Sequence, residues 1–437
     1  MAFSTALSGL TAASSDLDVT ANNIANADTI GFKDARAQFA DVYAAGAVNL
    51  NNSVIGQGVR LSSTKQQFTQ GNISTSSSNL DLAISGDGFY TLKDANGYAY
   101  SRNGQFGEDK SGNVISSTGQ ALQVYPPLIN GGFNTGTLSN LNLQTAQSAP
   151  LATTKGTVIL NLPANTAPPS VAVFDPTNAL SYNQSTSTTV YDTLGNAYPA
   201  TMYFSAVAAA PTPAPTGVPP NTWAVNMTVG TNPVTGAPNP ASLTPQYLTF
   251  NSAGAVSATE TTLGTAIPVA TSGGVLTFAG YSPTDGAATP MSLAFDFSKT
   301  TQYGGQFGVT SITQNGYATG QLSTVAIDPA GIVSAVYTNG RSTQLGQLAM
   351  ANFPNPQGLK QLGDTNWSET FTSGTVVSGV AGSAGFGSIQ SGALEASNVD
   401  LTTQLVDMIT AQRAFQANAQ VITTANSESQ TIINIGH

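Results

Sequence analysis

Apolar residues recur at helical spacing at both ends of this chain, and the sequence between them follows a different period. Near the start, Phe3, Leu7, Leu10, Leu17 and Ile24 are four, three, seven and seven residues apart, with Ser14 and Ala21 in the vacant steps. Near the end, Leu401, Leu405, Met408, Phe415 and Ile422 keep a similar rhythm, and Val406 and Ile409 widen the stripe. Each set forms a heptad-like seam on an amphipathic helix. Ser4 is placed to cap the first helix, Ser397 or Asn398 to cap the second, and Asp400 falls in the second helix's first turn. Gly9 weakens the first helix by up to ~1 kcal/mol relative to Ala. An isolated amphipathic helix leaves its seam in water. The two ends are therefore expected to pack on each other or on neighbouring copies, although a single chain could also fold them onto its own sheets.

Between the ends the period becomes two. Residues 88–126 alternate short apolar or aromatic runs with glycine turns at 96–97, 103–104, 112–113 and 119, a pattern of antiparallel hairpins. Tyr98 and Tyr100 should face one side of their strand, Ala99 and Ser101 the other. Further strand-rich runs include 188–207, 221–230 and 320–353, interrupted by a proline-rich loop at 210–220 that no packed element tolerates. The predicted fold is multidomain and mainly β. It has paired N- and C-terminal α-helices, and the β domains are inserted between them in a discontinuous, nested order.

Chemistry finds little to work with. The single histidine, His437, is the last residue and has no sequence partner to orient it; cysteine is absent, so thiolate metal sites and disulfides are excluded. The acidic loops at 93–97 and 108–113 lack the ligand alternation of a calcium loop and suit tight Asx turns. The glycines at 379, 382, 385, 387 and 392 lack the lysine of a phosphate loop and suggest a flexible connection. Trp223, Tyr281, Phe295 and Phe297 could be sugar platforms, but their alternating surroundings favour a strand core. No catalytic, cofactor-binding or metal-ligating residue is expected.

Charge narrows the partners. With 12 Lys plus Arg against 22 Asp plus Glu, the net charge is −10, and no basic stripe is present to neutralise phosphates. Only 8% of residues are charged, against about 25% in an ordinary soluble domain. An uncharged polar surface lacks the repulsion that keeps copies apart, so it permits dense self-association. No run approaches the ~20 apolar residues that span a bilayer. The first basic residue is Lys33 and no apolar core precedes it as in a Sec signal, which by itself points to the cytoplasm.

The end segments carry a resemblance. SGLTAASSDLDVTANNIANADTIGFK, residues 8–33, resembles the amino-terminal signature of the bacterial flagellar rod and hook axial family, and SGALEASNVDLTTQLVDMITAQRAFQANAQ, from residue 391, its carboxy-terminal signature. Residues 189–204, 312–340 and 347–370 are similar to the outer and middle domains of the hook branch. A distal rod protein shares the end motifs but is expected to lack the large insert at 150–310. An extracellular carbohydrate-binding module would leave the paired helices without a purpose.

The resemblance implies a terminal helical domain (1–32 plus 393–437), connecting segments (33–70 plus 371–392), a middle β domain (71–148 plus 312–370) and an outer β domain (149–311). It implies a flexible hollow tube, a universal joint that transmits torque from rod to filament. The implied partners are further copies of the chain, the distal rod protein, the hook cap, the hook–filament junction proteins and the flagellar type III export apparatus. Cofactors, nucleic acid and membrane insertion have no part in it. The location moves accordingly from the cytoplasm to the extracellular flagellar hook, reached without a Sec signal. The expected assembly residues are Phe3, Leu7, Leu10, Leu17, Ile24, Leu401, Leu405, Met408, Phe415 and Ile422 on the seams. At the end of the first helix they are Asn22, Asn23, Asn26, Gly31 and Phe32, where Gly31 makes the turn and Phe32 anchors the chain as it leaves.

Overall fold

The computed structural model describes residues 2–42, 56–144, 147–208, 220–231, 238–240, 244–260, 267–268, 274–283, 285–288 and 290–435. The proline-rich stretch at 210–219 and His437 lie outside the described residues. Helix α1 spans Ala2–Ala25 and helix α2 spans Leu401–Ile435; between them the regular structure of the described chain is β, apart from single 3-10 turns at Ala179–Ser181 and Pro356–Gly358. Two compact units result: Met1–Thr145 with Ser323–Val336 and Ser342–His437, and Ala146–Leu322 with Tyr337–Arg341. The second is inserted within the first, as a nested order requires.

The inserted unit is built from two sheets around one core. A seven-stranded antiparallel sheet runs through Gln184–Tyr191, Ala197–Ala206, Thr222–Thr231, Gln246–Phe250 and Val256–Glu260, and a five-stranded sheet centres on Lys155–Pro163. Alternation along each strand sends one face inward, as in Val158, Leu160 and Leu162 or Met202 and Phe204. Trp223, Tyr281, Phe295 and Phe297 all lie in this core, so the strand-core reading of these aromatics is the one observed.

The first unit carries a sheet of twelve strands in which Phe89–Asp94 pairs with Gly97–Ser101 and Ala121–Tyr125, and Ser342–Asn352 crosses back beside them. This sheet is covered on both faces. Tyr90, Leu92, Ala99, Leu348 and Met350 enter one cluster, while Phe89, Tyr100, Ala351, Phe353 and Trp367 enter another. Simple in–out alternation therefore fails at Gly97–Ser101: Tyr98 is exposed, but Ala99, Tyr100 and Ser101 are all buried, because the strand is central and both of its sides are covered. In the second cluster Phe68, Phe89 and Trp367 meet edge-on, with ring centroids 5.5–5.7 Å apart.

The acidic loops behave as turns. Asp94 Oδ1 accepts from the Asn96 amide, and Asp109 Oδ1 from the amides of Ser111 and Asn113. The glycine-rich return at 377–392 differs from the flexible connection expected of it. Val377–Val380 pairs with Ser342–Asn352, and Ser388–Ser391 pairs with Leu82–Ser85. Its glycines serve close packing: a Cβ on Gly379 would lie 2.3 Å from the Phe386 ring, and one on Gly387 2.4 Å from the Ser85 carbonyl oxygen.

Candidate assembly surface

The helix ends are set by local hydrogen bonds, and two caps differ from expectation. α1 starts before Ser4, which lies within the helix. α2 is capped by Asp400 and not by Ser397 or Asn398: Asp400 Oδ1 accepts from the amides of Thr402 and Thr403 at 2.8 and 3.3 Å. Those amides hold the Asp400 carboxyl below its usual range. Asn398 is used elsewhere. Its Oδ1 accepts from the Asp34 amide, and its Nδ2 donates to the Gln67 carbonyl at 2.9 Å.

The three asparagines of the first signature have separate tasks. Asn23 is buried; its Oδ1 accepts from the Ala35 amide at 2.9 Å and its Nδ2 donates to the Ala35 carbonyl at 2.7 Å. The same Nδ2 reaches Gln404 Oε1 on α2 at 3.0 Å. Asn26 turns back to donate to the Asn22 carbonyl and accepts from Thr29 Oγ1, closing the helix end, while the Asn22 side chain is exposed. At Gly31 φ is +71°, and an added Cβ would lie 2.6 Å from the Asn103 backbone nitrogen, so glycine is required there. Phe32 is buried beside it.

α1 and α2 pack on each other, but the contact is not the apolar seam. The residues α1 buries are Ala6, Ala13, Thr20 and Asn23; those α2 buries are Gln404 and Ala411. Small and amide side chains let the helices approach closely, and a Cβ on Gly9 would lie 2.7 Å from Asn418 Oδ1. The expected seam residues divide between two positions. Leu10, Leu17, Ile24, Met408, Phe415 and Ile422 are half-buried along the edge of the contact. Phe3 (53% exposed), Leu7 (48%), Leu401 (47%) and Leu405 (47%) face solvent, as do Val406 and Ile409. Each residue turns the helix by about 100°, so Leu405 and Ile409 lie roughly a quarter-turn from Met408 and Phe415 and form a second apolar flank. Reading one seam from the spacing merged these two flanks.

Beneath the helices lies a charge cluster that no motif announced. Glu395 Oε1 accepts from Lys33 Nζ at 2.6 Å and from the Gly71 amide at 2.9 Å, and Oε2 accepts from Arg102 Nη1 at 3.2 Å. Lys33 also donates to the Thr69 carbonyl, Arg102 to the Gly86 carbonyl, and the guanidinium lies over the Phe89 ring. Lys33 and Glu395 are fully buried. Burial pushes the Lys33 ammonium down, opposed by Glu395, and pushes the Tyr90 phenol up. The sequence signal was slight: Lys33 closes the first signature and Glu395 lies within the second, in a chain that has few charges, while Arg102 lies in neither.

No group of three or more potential metal ligands occurs among the described residues, and no described helix is long and apolar enough to cross a membrane. The geometry thus presents paired helices with an unpaired apolar flank, fastened to a β body. Four family models match the chain in order: Flagella basal body rod protein at 3–33, Flagellar hook protein FlgE/F/G D1 domain at 83–166, Flagellar basal body protein FlaE D2 domain at 161–317, and Flagellar basal body rod FlgEFG protein C-terminal at 390–435. The flagellar hook proteins FlgE of Salmonella typhimurium and Escherichia coli are each 37% identical to it, over 100% of both chains. The chain belongs to the flagellar hook protein FlgE family.

FlgE of Treponema pallidum is 30% identical over 98% of both chains. The crystal structure of Helicobacter pylori flagellar hook protein FlgE2 shares the fold with a TM-score of 0.50 at 15% identity, covering 74% of this chain and all of that one. Membership makes this chain a structural component of the flagellar hook, in a family that self-assembles with other flagellar parts.

Proposed function

We propose that copies of this chain polymerise into a flexible hollow tube, with the terminal helices as its inner, channel-lining layer and the β domains progressively farther out. The tube acts as a universal joint that carries torque from the distal rod protein to the filament through the junction proteins. Subunits travel unfolded through the flagellar type III export apparatus, without a Sec signal, and add beneath a cap outside the cell. The domain division follows the terminal, connecting, middle and outer segments set out from the sequence. Of the assembly residues set out there, the exposed ones meet neighbouring copies, while Asn23, Gly31 and Phe32 serve assembly by holding the end of α1 within the chain.

The observation that carries this reading is the second apolar flank. Phe3, Leu7, Leu401, Leu405, Val406 and Ile409 are exposed on helices already paired within the chain. Taking such a side chain from full exposure to full burial is worth about 1.5–3 kcal/mol; these are about half covered already, so a neighbouring copy gains roughly half of that for each one it covers. Outer surfaces rich in neutral polar groups can exchange partners as the tube bends, whereas burying unmatched charges at each slide would cost several kcal/mol. Leu405→Asp places a charge on that flank. Electron microscopy should then show no tubes from the purified variant, while circular dichroism and calorimetry show β domains that melt as in the parent. Normal tubes from this variant would sink the reading.

A further inference from the structure

The ion pairs among the described residues are Lys33–Glu395 and Arg102–Glu395, and they converge on one buried carboxylate. Its three members come from the three chain segments that must meet where the helices join the body. Lys33 follows the Gly31 turn at the end of α1, Arg102 follows the strand Gly97–Ser101, and Glu395 ends the strand Ala393–Glu395 ahead of α2. The Glu395 backbone takes part as well, its carbonyl accepting from the Gly31 amide at 2.8 Å. One residue thus touches the end of the first helix, the approach to the second and the β body between them.

Stability alone does not account for such a site. Desolvating three charges offsets most of their attraction, and well-packed apolar side chains of similar volume commonly serve as well or better. The cluster also leaves Arg102 Nε without a partner in the structure. A buried carboxylate that two cations must satisfy from fixed directions does supply direction. An apolar plug tolerates small rotations that this arrangement does not.

We propose that Glu395 is the residue that sets helix registration for assembly: by accepting from Lys33 and Arg102 together it holds α1 and α2 at one angle to the β body, so that every subunit presents its apolar flank identically. This rests on the tube-forming reading above. Glu395 is a positioning residue, acting on neighbouring copies only through the helices it fixes.

The test separates position from stability. Lys33→Met, Arg102→Leu and Glu395→Leu are combined in one full-length chain, with Glu395→Gln as a second variant that leaves both cations buried without a counter-charge. The chain has no cysteine, so Lys110→Cys on the body and Ala417→Cys on α2 accept a pair of spin labels in parent and variants, and doubly labelled subunits are diluted into unlabelled ones during polymerisation. The parent is expected to give tubes with one narrow label distance. The triple variant is expected to unfold at or above the parent temperature, yet to lose about tenfold in tube yield or to show a broadened distance in the tubes that form. Glu395→Gln is expected to lower the unfolding temperature and to impair tubes as well.

A triple variant with the parent's tube yield and narrow distance overturns the proposal. So does one that cannot fold, because the cluster's role is then stability. Failure of the unaltered chain to form tubes sinks the functional reading and this proposal with it, whereas normal tubes from the triple variant sink only this proposal.

Discussion

The sandwich core of the inserted unit and the helical pair of the first unit use apolar residues in opposite ways. In the sandwich, Val158, Leu162, Phe204, Phe278, Phe295 and Phe297 are wholly buried by the chain itself. In the helical pair Phe3, Leu7, Leu401, Leu405, Val406 and Ile409 face outward, Phe415 and Met408 are only half-buried, and the side chains the chain buries are alanines, Thr20, Asn23 and Gln404. A core that is complete within one chain stabilises that chain. A helix contact made of small and amide groups leaves its hydrophobic driving force unspent, available to neighbouring copies. On the proposed reading, folding and assembly are assigned to different residues.

Substitutions can break that division, and the largest effect belongs to the sandwich. Phe295→Ala should cost about 3–5 kcal/mol in calorimetry, because the removed ring leaves a cavity between two sheets that cannot collapse freely. Among assembly-competent chains, the same change should leave the helical contact of any tube unaltered. Asn23→Ala comes next. It leaves the Ala35 amide and carbonyl and the Gln404 side-chain carbonyl oxygen short of partners, and a loss of about 1–3 kcal/mol is expected, read as early melting of the helices by circular dichroism. If that variant melts like the parent, the polar contact is not what pairs the helices.

Two carboxyls on or beside the helices give smaller effects with opposite pH dependence. Asp16 is held above the ordinary carboxylate range by burial first and by Asp407 on the facing helix second, against a downward pull from Arg36. A folded-state value above the unfolded one means that its stabilising contribution is fully present below the unfolded value and lost as pH rises through the folded one. Helix pairing should therefore tighten in mild acid, and Asp407→Asn should raise helicity near neutral pH and flatten that dependence. Asp400 has the reverse sign. Its carboxyl is lowered from 3.8 by the capping amides, so its contribution is present above that value and lost as pH falls through the lowered one. Asp400→Ala should fray the first turn of α2 at neutral pH and leave helicity insensitive to acid in that range. A parallel response of the two variants would mean that the carboxyls do not act separately.

Much of this was legible along the chain. The two terminal helices, the hairpin run from 88 to 126 and the placement of Trp223 and Phe295 in a strand core follow from period and turn chemistry, which are local. The signature spacing also pointed to Leu7, Leu405 and their neighbours as apolar surface of a helix. It could not separate Leu405 from Phe415, since residues within a broad stripe share a period and only the partner's position decides which edge is covered.

Non-local matters were closed to it. Ser4 and Asn398 satisfy every local rule for a cap, yet Asn398 is drawn to Asp34 and Gln67, which lie far away in sequence. The glycines at 379 and 387 looked like slack until Phe386 and Ser85 approached them. Glu395, Lys33 and Arg102 lie in three separate segments, and no spacing connects them. Sequence by itself determined which elements form and that the ends carry apolar helices, because periodicity and turn residues act over a few positions. Tertiary structure decided which face of each helix is used up within the chain and where three charges meet, because burial and ion pairing depend on groups that only the completed fold brings together.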